Sequence, residues 1–108
     1  MIMQNQRSKI ETYIGFAIKS QKIRSGVNAI GTVKSGISLL VLCSSASDNC
    51  VKEAQKLARK HGARIVRSKK LIEDIVGKEN CILVAILDEN LAKGILDNLD
   101  DNFSIMGE

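Results

Sequence analysis

Apolar residues along the chain alternate between a spaced rhythm and an unbroken one, and the alternation repeats. Ile10, Ile14, Ala17 and Ile18 fall at helical spacing and predict a first helix from Ser8 to Ser20. A very short strand is expected near Ile23. Val27, Ile30 and Val33 recur every third residue and predict a second helix from Gly26 to Ser35, with Gly36 where helices end. Leu39-Leu40-Val41-Leu42-Cys43 is continuous, the signature of a strand covered on both faces. Ser47, Asp48 or Asn49 can cap a third helix with Val51, Ala54, Leu57 and Ala58 inward and Gly62 as its stop. Ala63 to Val66 reads as a strand. Ser68 is expected to cap a fourth helix, with Leu71, Ile72, Ile75 and Val76 inward and Gly77 closing it. Cys81 to Ile86 is the second fully apolar strand. Asp88 then caps a last helix with Leu91, Ala92, Ile95, Leu96 and Leu99 inward.

Five helices interleaved with three or four strands predict an α/β fold, a single-domain three-layer α/β/α sandwich with a small mixed sheet of about four strands. A chain of 108 residues suits one domain and is too short for two. Residues 1–7 are expected to form a flexible tail, residues 8–99 the folded domain, and residues 100–108 a loose acidic tail. Proline is absent, so turns fall to Gly, Ser, Asn and Asp.

Composition narrows the function more by exclusion than by indication. No apolar run is long enough to span a membrane, and residues 1–9 lack the apolar middle of a signal peptide. The expectation is a cytoplasmic protein with no membrane partner. Cys43, Cys50 and Cys81 lack the paired spacing of a zinc site and read as free thiols in a reducing compartment. His61, the sole histidine, sits before Gly62 at a helix end, where it meets the negative pole of the helix. Neither dinucleotide nor phosphate-loop glycine patterns occur, and no serine sits in a nucleophile elbow. Asp88 and Glu89 follow the last strand, yet a cap and a first-turn acid account for them. No cofactor, metal or catalysis is expected.

Charge is unevenly spread. Up to residue 70 the chain holds 14 Lys and Arg against three acids; after it, two against nine. Such a split either makes a positive face for a polyanion or mixes in space. Two Phe, one Tyr and no Trp leave little for stacking unpaired bases. The basic density peaks around residues 19–36: Lys19, Lys22, Arg24 and Lys34 bracket a turn at Ser25-Gly26. Asn28 falls in the first turn of the helix that follows, where an amide can read a base edge while backbone N–H groups face phosphate. Gly31 inside that helix costs about 1 kcal/mol relative to Ala, which suggests a close approach by RNA or by a packed neighbour.

A resemblance joins these pieces. Lys22-Ile23-Arg24-Ser25-Gly26, Lys34-Ser35-Gly36, Leu39-Leu40-Val41-Leu42 and Ser45-Ala46-Ser47-Asp48-Asn49 resemble the kink-turn-binding ribosomal protein family. That family is of the L-seven-Ae and L-thirty-e type, and the likeness is to its small bacterial members. Val84 through Ala92 resembles the family's last strand and helix, so the likeness spans roughly residues 8–97. It implies a single α/β/α sandwich and non-catalytic binding of structured RNA, with kink-turns and ribosomal RNA as the candidate partners. It implies Lys19, Lys22, Arg24, Ser25, Gly26, Asn28 and Lys34 as the RNA-facing set, bordered by the loop after Ile86. In the family's reading turn an acid and a Lys contact the tandem G·A pairs; here those positions hold Ala29 and Thr32. Each such contact is worth about 1–3 kcal/mol by analogy with bidentate base readout. The departures, with the acidic last third, motivate an alternative: an interaction module on the same fold that binds a protein instead of a kink-turn. An enzyme or accessory enzyme domain ranks last, because the chain leaves no room for a second catalytic domain.

Overall fold

A computed structural model describes residues 8–77 and 81–106. Its elements run α1 (Lys9–Lys19), β1 (Ile23–Ser25), α2 (Val27–Gly31), β2 (Leu39–Cys43), α3 (Asp48–His61), β3 (Arg64–Ser68), α4 (Ile72–Val76), β4 (Leu83–Ile86), α5 (Glu89–Asp97) and β5 (Phe103–Ile105). The strands form one mixed sheet in the order β1-β4-β2-β3-β5. β2 and β3 are parallel, with α3 as the crossover such a pair needs; the other pairings are antiparallel.

The continuous apolar runs became the central strands. Every residue of β2 and of β4 is buried. Side-chain alternation then feeds two cores. Leu39, Val41 and Cys43 point to a core shared with α1, α4 and α5; Leu40 and Leu42 point to one shared with α2 and α3. The predicted three-layer sandwich is thus the observed one, with a fifth strand.

Three local expectations are corrected. The helix expected over Gly26 to Ser35 is only Val27–Gly31. It tightens at its end, where Thr32 N–H bonds Ala29 O and Val33 N–H bonds Ile30 O, each three residues back. Ser68 does not cap α4: it ends β3, fully buried, and its hydroxyl donates to Lys70 O at 2.8 Å. Leu71 takes the cap position with no side-chain hydrogen bond and stays 44% exposed, not inward. The tail expected to be loose from Asp100 onward instead supplies β5, with Phe103 fully buried. The first seven residues lie outside the described residues.

α1 begins with a reciprocal cap. Glu11 N–H donates to Ser8 Oγ at 3.2 Å, and the Glu11 carboxylate accepts from Ser8 N–H. Lys70 Nζ, reaching over from the loop before α4, donates to the same carboxylate at 2.7 Å. Burial would raise the Glu11 carboxyl, but the Lys70 and Ser8 hydrogen bonds outweigh it and hold the group below its usual range. A carboxyl lowered by folding stabilises the protein above its unfolded pKa, and that contribution is lost as pH falls through the folded one. Glu11→Gln should therefore cost about 1 kcal/mol near neutral pH, with the gap closing under acid conditions where both side chains are uncharged. Urea titrations at the two pH values test this; an equal gap at both would sink it.

Candidate nucleic-acid interface

The expected site residues lie along one edge of the sheet, because β1 is an edge strand paired only with β4. The antiparallel register sets which neighbour each meets. Ile23 lies opposite Ile86, Arg24 opposite Ala85, and Ser25 opposite Val84. At one end of this edge, Lys22 O accepts from Leu87 N–H at 2.8 Å. At the other, Gly26 N–H donates to Leu83 O at 2.9 Å. Four residues of extended chain, about 13 Å, separate the two ends.

The predicted set therefore divides. Lys22 adjoins the loop after Ile86, and Lys19 lines a groove between α1 and α5 with Phe16, Ser20, Asp88, Asn90 and Leu91. Ser25, Gly26 and Asn28 sit at the opposite end, beside the start of β4. Arg24 is exposed between them, its guanidinium folded back on Ile23 O at 2.9 Å and Gln21 O at 3.4 Å. Lys34 lies in the connection returning from α2 to Ser38, whose N–H bonds Ile86 O at 2.8 Å. So the loop after Ile86 borders Lys22, not the Ser25-Gly26 turn. That turn is bordered instead by Leu83 at the start of β4. Sequence offered no signal for this, because the antiparallel register alone decides it.

Gly26 has φ +91°, a left-handed conformation that side chains rarely adopt, and nothing lies within 4 Å of where a Cβ would stand. The glycine serves the turn, not a close packing contact. Its N–H is already bonded within the sheet, and α2 has only five residues, so the positive charge of this edge comes from exposed cations rather than from a helix end. Gly31 is exposed, with nothing within 4 Å of its Cβ position, so no neighbouring side chain packs on it. Ala29 and Thr32 are also exposed, and Thr32 Oγ1 donates to Ala29 O at 2.7 Å, tying the hydroxyl to the helix end.

The two helical layers differ in charge. The α2–α3 layer and its turns carry Lys34, Lys52, Lys56, Arg59 and Lys60 against Asp48 and Glu53. The acids Glu73, Asp74, Glu89 and Asp97 ride on α4 and α5, across the sheet. The α2–α3 layer is thus net basic, whereas the α1–α4–α5 layer mixes those acids with Lys9, Lys19 and Lys93, so the basic half of the sequence does not lie on one side of the sheet.

Elsewhere the molecule offers little for chemistry. A groove of 640 Å³ at the far end of the sheet is lined by Ala58, Arg59, Gly62, Ile65, Ile105 and Met106 among others, with no acid. The cysteines are free, and Cys43 and Cys81 are buried. Burial would raise the Cys43 thiol, yet the Ser45 hydroxyl at 3.1 Å and neighbouring backbone bonds bring it below its ordinary value; the side chain is nonetheless 1% exposed. Among the described residues no His, Cys, Asp and Glu side chains group to hold a metal ion, and no helix is long and apolar enough to cross a membrane.

No family model matches the chain, and no curated protein matches it. A solved structure of a protein of unknown function from Bacillus halodurans aligns with a TM-score of 0.69 at 14% identity, covering 84% of this chain and 96% of its own. The likeness shows the fold alone.

Proposed function

We propose that the chain is a non-catalytic RNA-binding protein of ribosomal type, which takes structured RNA, kink-turns among them, along the β1–α2 edge. The observation that carries this reading is the set of exposed cations on and beside the edge strand, Lys19, Lys22, Arg24 and Lys34, none with an acidic partner within salt-bridge distance among the described residues. Exposed cations without acidic partners suit phosphates, which position an RNA without reading its sequence. Asn28, exposed in the first turn of α2, supplies the base contact, and open space at Gly31 lets a backbone approach. The resemblance to the kink-turn-binding family supports the same edge.

Ala29 and Thr32 set the expected strength. Without the acid and the Lys, recognition of the tandem G·A pairs loses two contacts, so phosphate neutralisation carries more of the affinity and salt weakens it steeply. Lys22→Ala with Arg24→Ala should weaken binding about equally for a kink-turn and an unkinked duplex. It should also lower the slope of log K against log salt by about 1.8, at roughly 0.9 per lost contact. Asn28→Ala should instead change the preference between the two RNAs. Anisotropy titrations at several salt concentrations measure both. Binding absent at low salt, with a protein captured in nuclease-treated pull-downs, would turn the reading to the interaction module.

A further inference from the structure

Helix α3 carries more positive charge than its packing requires. Val51, Ala54, Leu57 and Ala58 serve the core. Lys52, Lys56, Arg59 and Lys60 recur at i, i+4, i+7 and i+8 and are all exposed. Along the axis Lys52, Lys56 and Lys60 stand about 6 Å apart, since each residue rises about 1.5 Å. Like charges at this spacing repel one another, and although Arg59 and Lys60 in the last turn meet the negative end of the helix, Lys52 and Lys56 stand before it. Compensation from within is slight. Glu53 pairs with Lys56 at 3.4 Å, but both side chains are largely solvated, 40% and 68% exposed, so a phosphate can displace the pair. Lys52, Arg59 and Lys60 have no acidic partner within salt-bridge distance among the described residues.

The placement of this stripe gives it a direction. α2 and α3 share one core beneath the same sheet face, where Ile30 and Val33 join Ala54 and Ala58. The outer surface of α3 is therefore continuous with that of α2, and α2 starts at the basic edge strand. The aromatic side chains of the described residues, Tyr13, Phe16 and Phe103, belong to α1 and β5, so this face has no platform for stacking an unpaired base. A straight row of cations on a convex helix suits a regular array of phosphates.

We propose that the outward face of α3 is a second phosphate-binding surface, which takes the backbone of a duplex RNA stem leaving the β1–α2 edge. The proposal rests on the RNA reading above, and the experiment separates the two. The probe is an RNA hairpin whose duplex stem extends beyond a kink-turn, titrated over a range of salt concentrations. Three variants are compared with the parent protein, each checked for native circular dichroism. One is Lys52→Gln/Lys56→Gln/Lys60→Gln on α3. The second, Lys9→Gln/Lys69→Gln/Lys93→Gln, removes equal charge from α1, α5 and the loop before α4. The third is Lys22→Ala/Arg24→Ala. The α3 triple variant should lower the log–log salt slope by up to about 2.7, at roughly 0.9 per duplex phosphate, while the charge-matched control keeps the parent slope. Equal slopes for the two triple variants, whether lowered or not, overturn the proposal. If the slope falls only with Lys22→Ala/Arg24→Ala, the edge reading stands and α3 is no site. If the parent protein binds no RNA, both readings fall.

Discussion

Phe103→Ala should lower the unfolding free energy by about 3–5 kcal/mol, the range for removing a fully buried aromatic ring. Phe103 has no exposed surface and belongs to the core between the sheet and α1, α4 and α5. The segment around it is stitched in on both sides. Asp100 Oδ1 accepts from Asn102 N–H at 2.8 Å and Phe103 N–H at 3.1 Å, which turns the chain. Lys69 N–H bonds Asn102 O and Met106 N–H bonds Ile65 O, each at 2.8 Å, which holds β5 on β3. The ring is thus the anchor of a three-residue edge strand and a floor of the main core. Ile105, two residues on and 41% exposed, is the control: Ile105→Ala should cost less than about 1 kcal/mol. Urea unfolding of both variants decides the matter. A Phe103→Ala loss no larger than that of Ile105→Ala would mean that β5 contributes nothing to the cooperative core.

Gly94→Ala should destabilise the protein, although alanine is worth about 1 kcal/mol more than glycine within a helix. α5 crosses α1 so closely that a Cβ at Gly94 would lie 2.5 Å from Tyr13 Cζ and 2.7 Å from Cε1. The Tyr13 ring is itself set edge-on to Phe16, with centroids 6.4 Å apart at 74°. Overpacking of this kind costs about 1–3 kcal/mol, so the clash outweighs the helix preference. The two terms can be separated. In a Tyr13→Ala background the obstruction is gone, and Gly94→Ala should become stabilising, by up to about 1 kcal/mol. A double-mutant cycle read by thermal or urea unfolding tests the reversal of sign. Loss of stability in both backgrounds would refute the contact as the cause.

Legibility differed by element. The two unbroken apolar runs announced β2 and β4 because a strand buried on both faces needs no polar residue. Asp88, and Ser47 among the three candidates Ser47, Asp48 and Asn49, announced helix starts because a side-chain oxygen there satisfies a free N–H; each does so in the structure. Ser68 carried the same signal and misled, since its hydroxyl found Lys70 O from inside β3. The tail was misread because its three acids equal its apolar residues in number, although Phe103-Ser104-Ile105 has the alternation of a strand. Val27, Ile30 and Val33 gave the inner face of α2 but not its length. Periodicity does not register the tightening at Ala29 and Ile30 that ends the helix.

The candidate site shows the same division. Local sequence determined its residue types: the cations around the turn, the glycine required at φ +91°, and the exposed Asn28. Those depend on side-chain chemistry and on one residue's backbone freedom. Only the tertiary structure decided that β1 lies at the sheet edge, that the turn meets the start of β4, and that α3 shares a layer with α2. Pairing and layering join residues far apart in the chain. Their outcome is set by which apolar faces can be buried together, and a run of charges says nothing of that until the faces are closed.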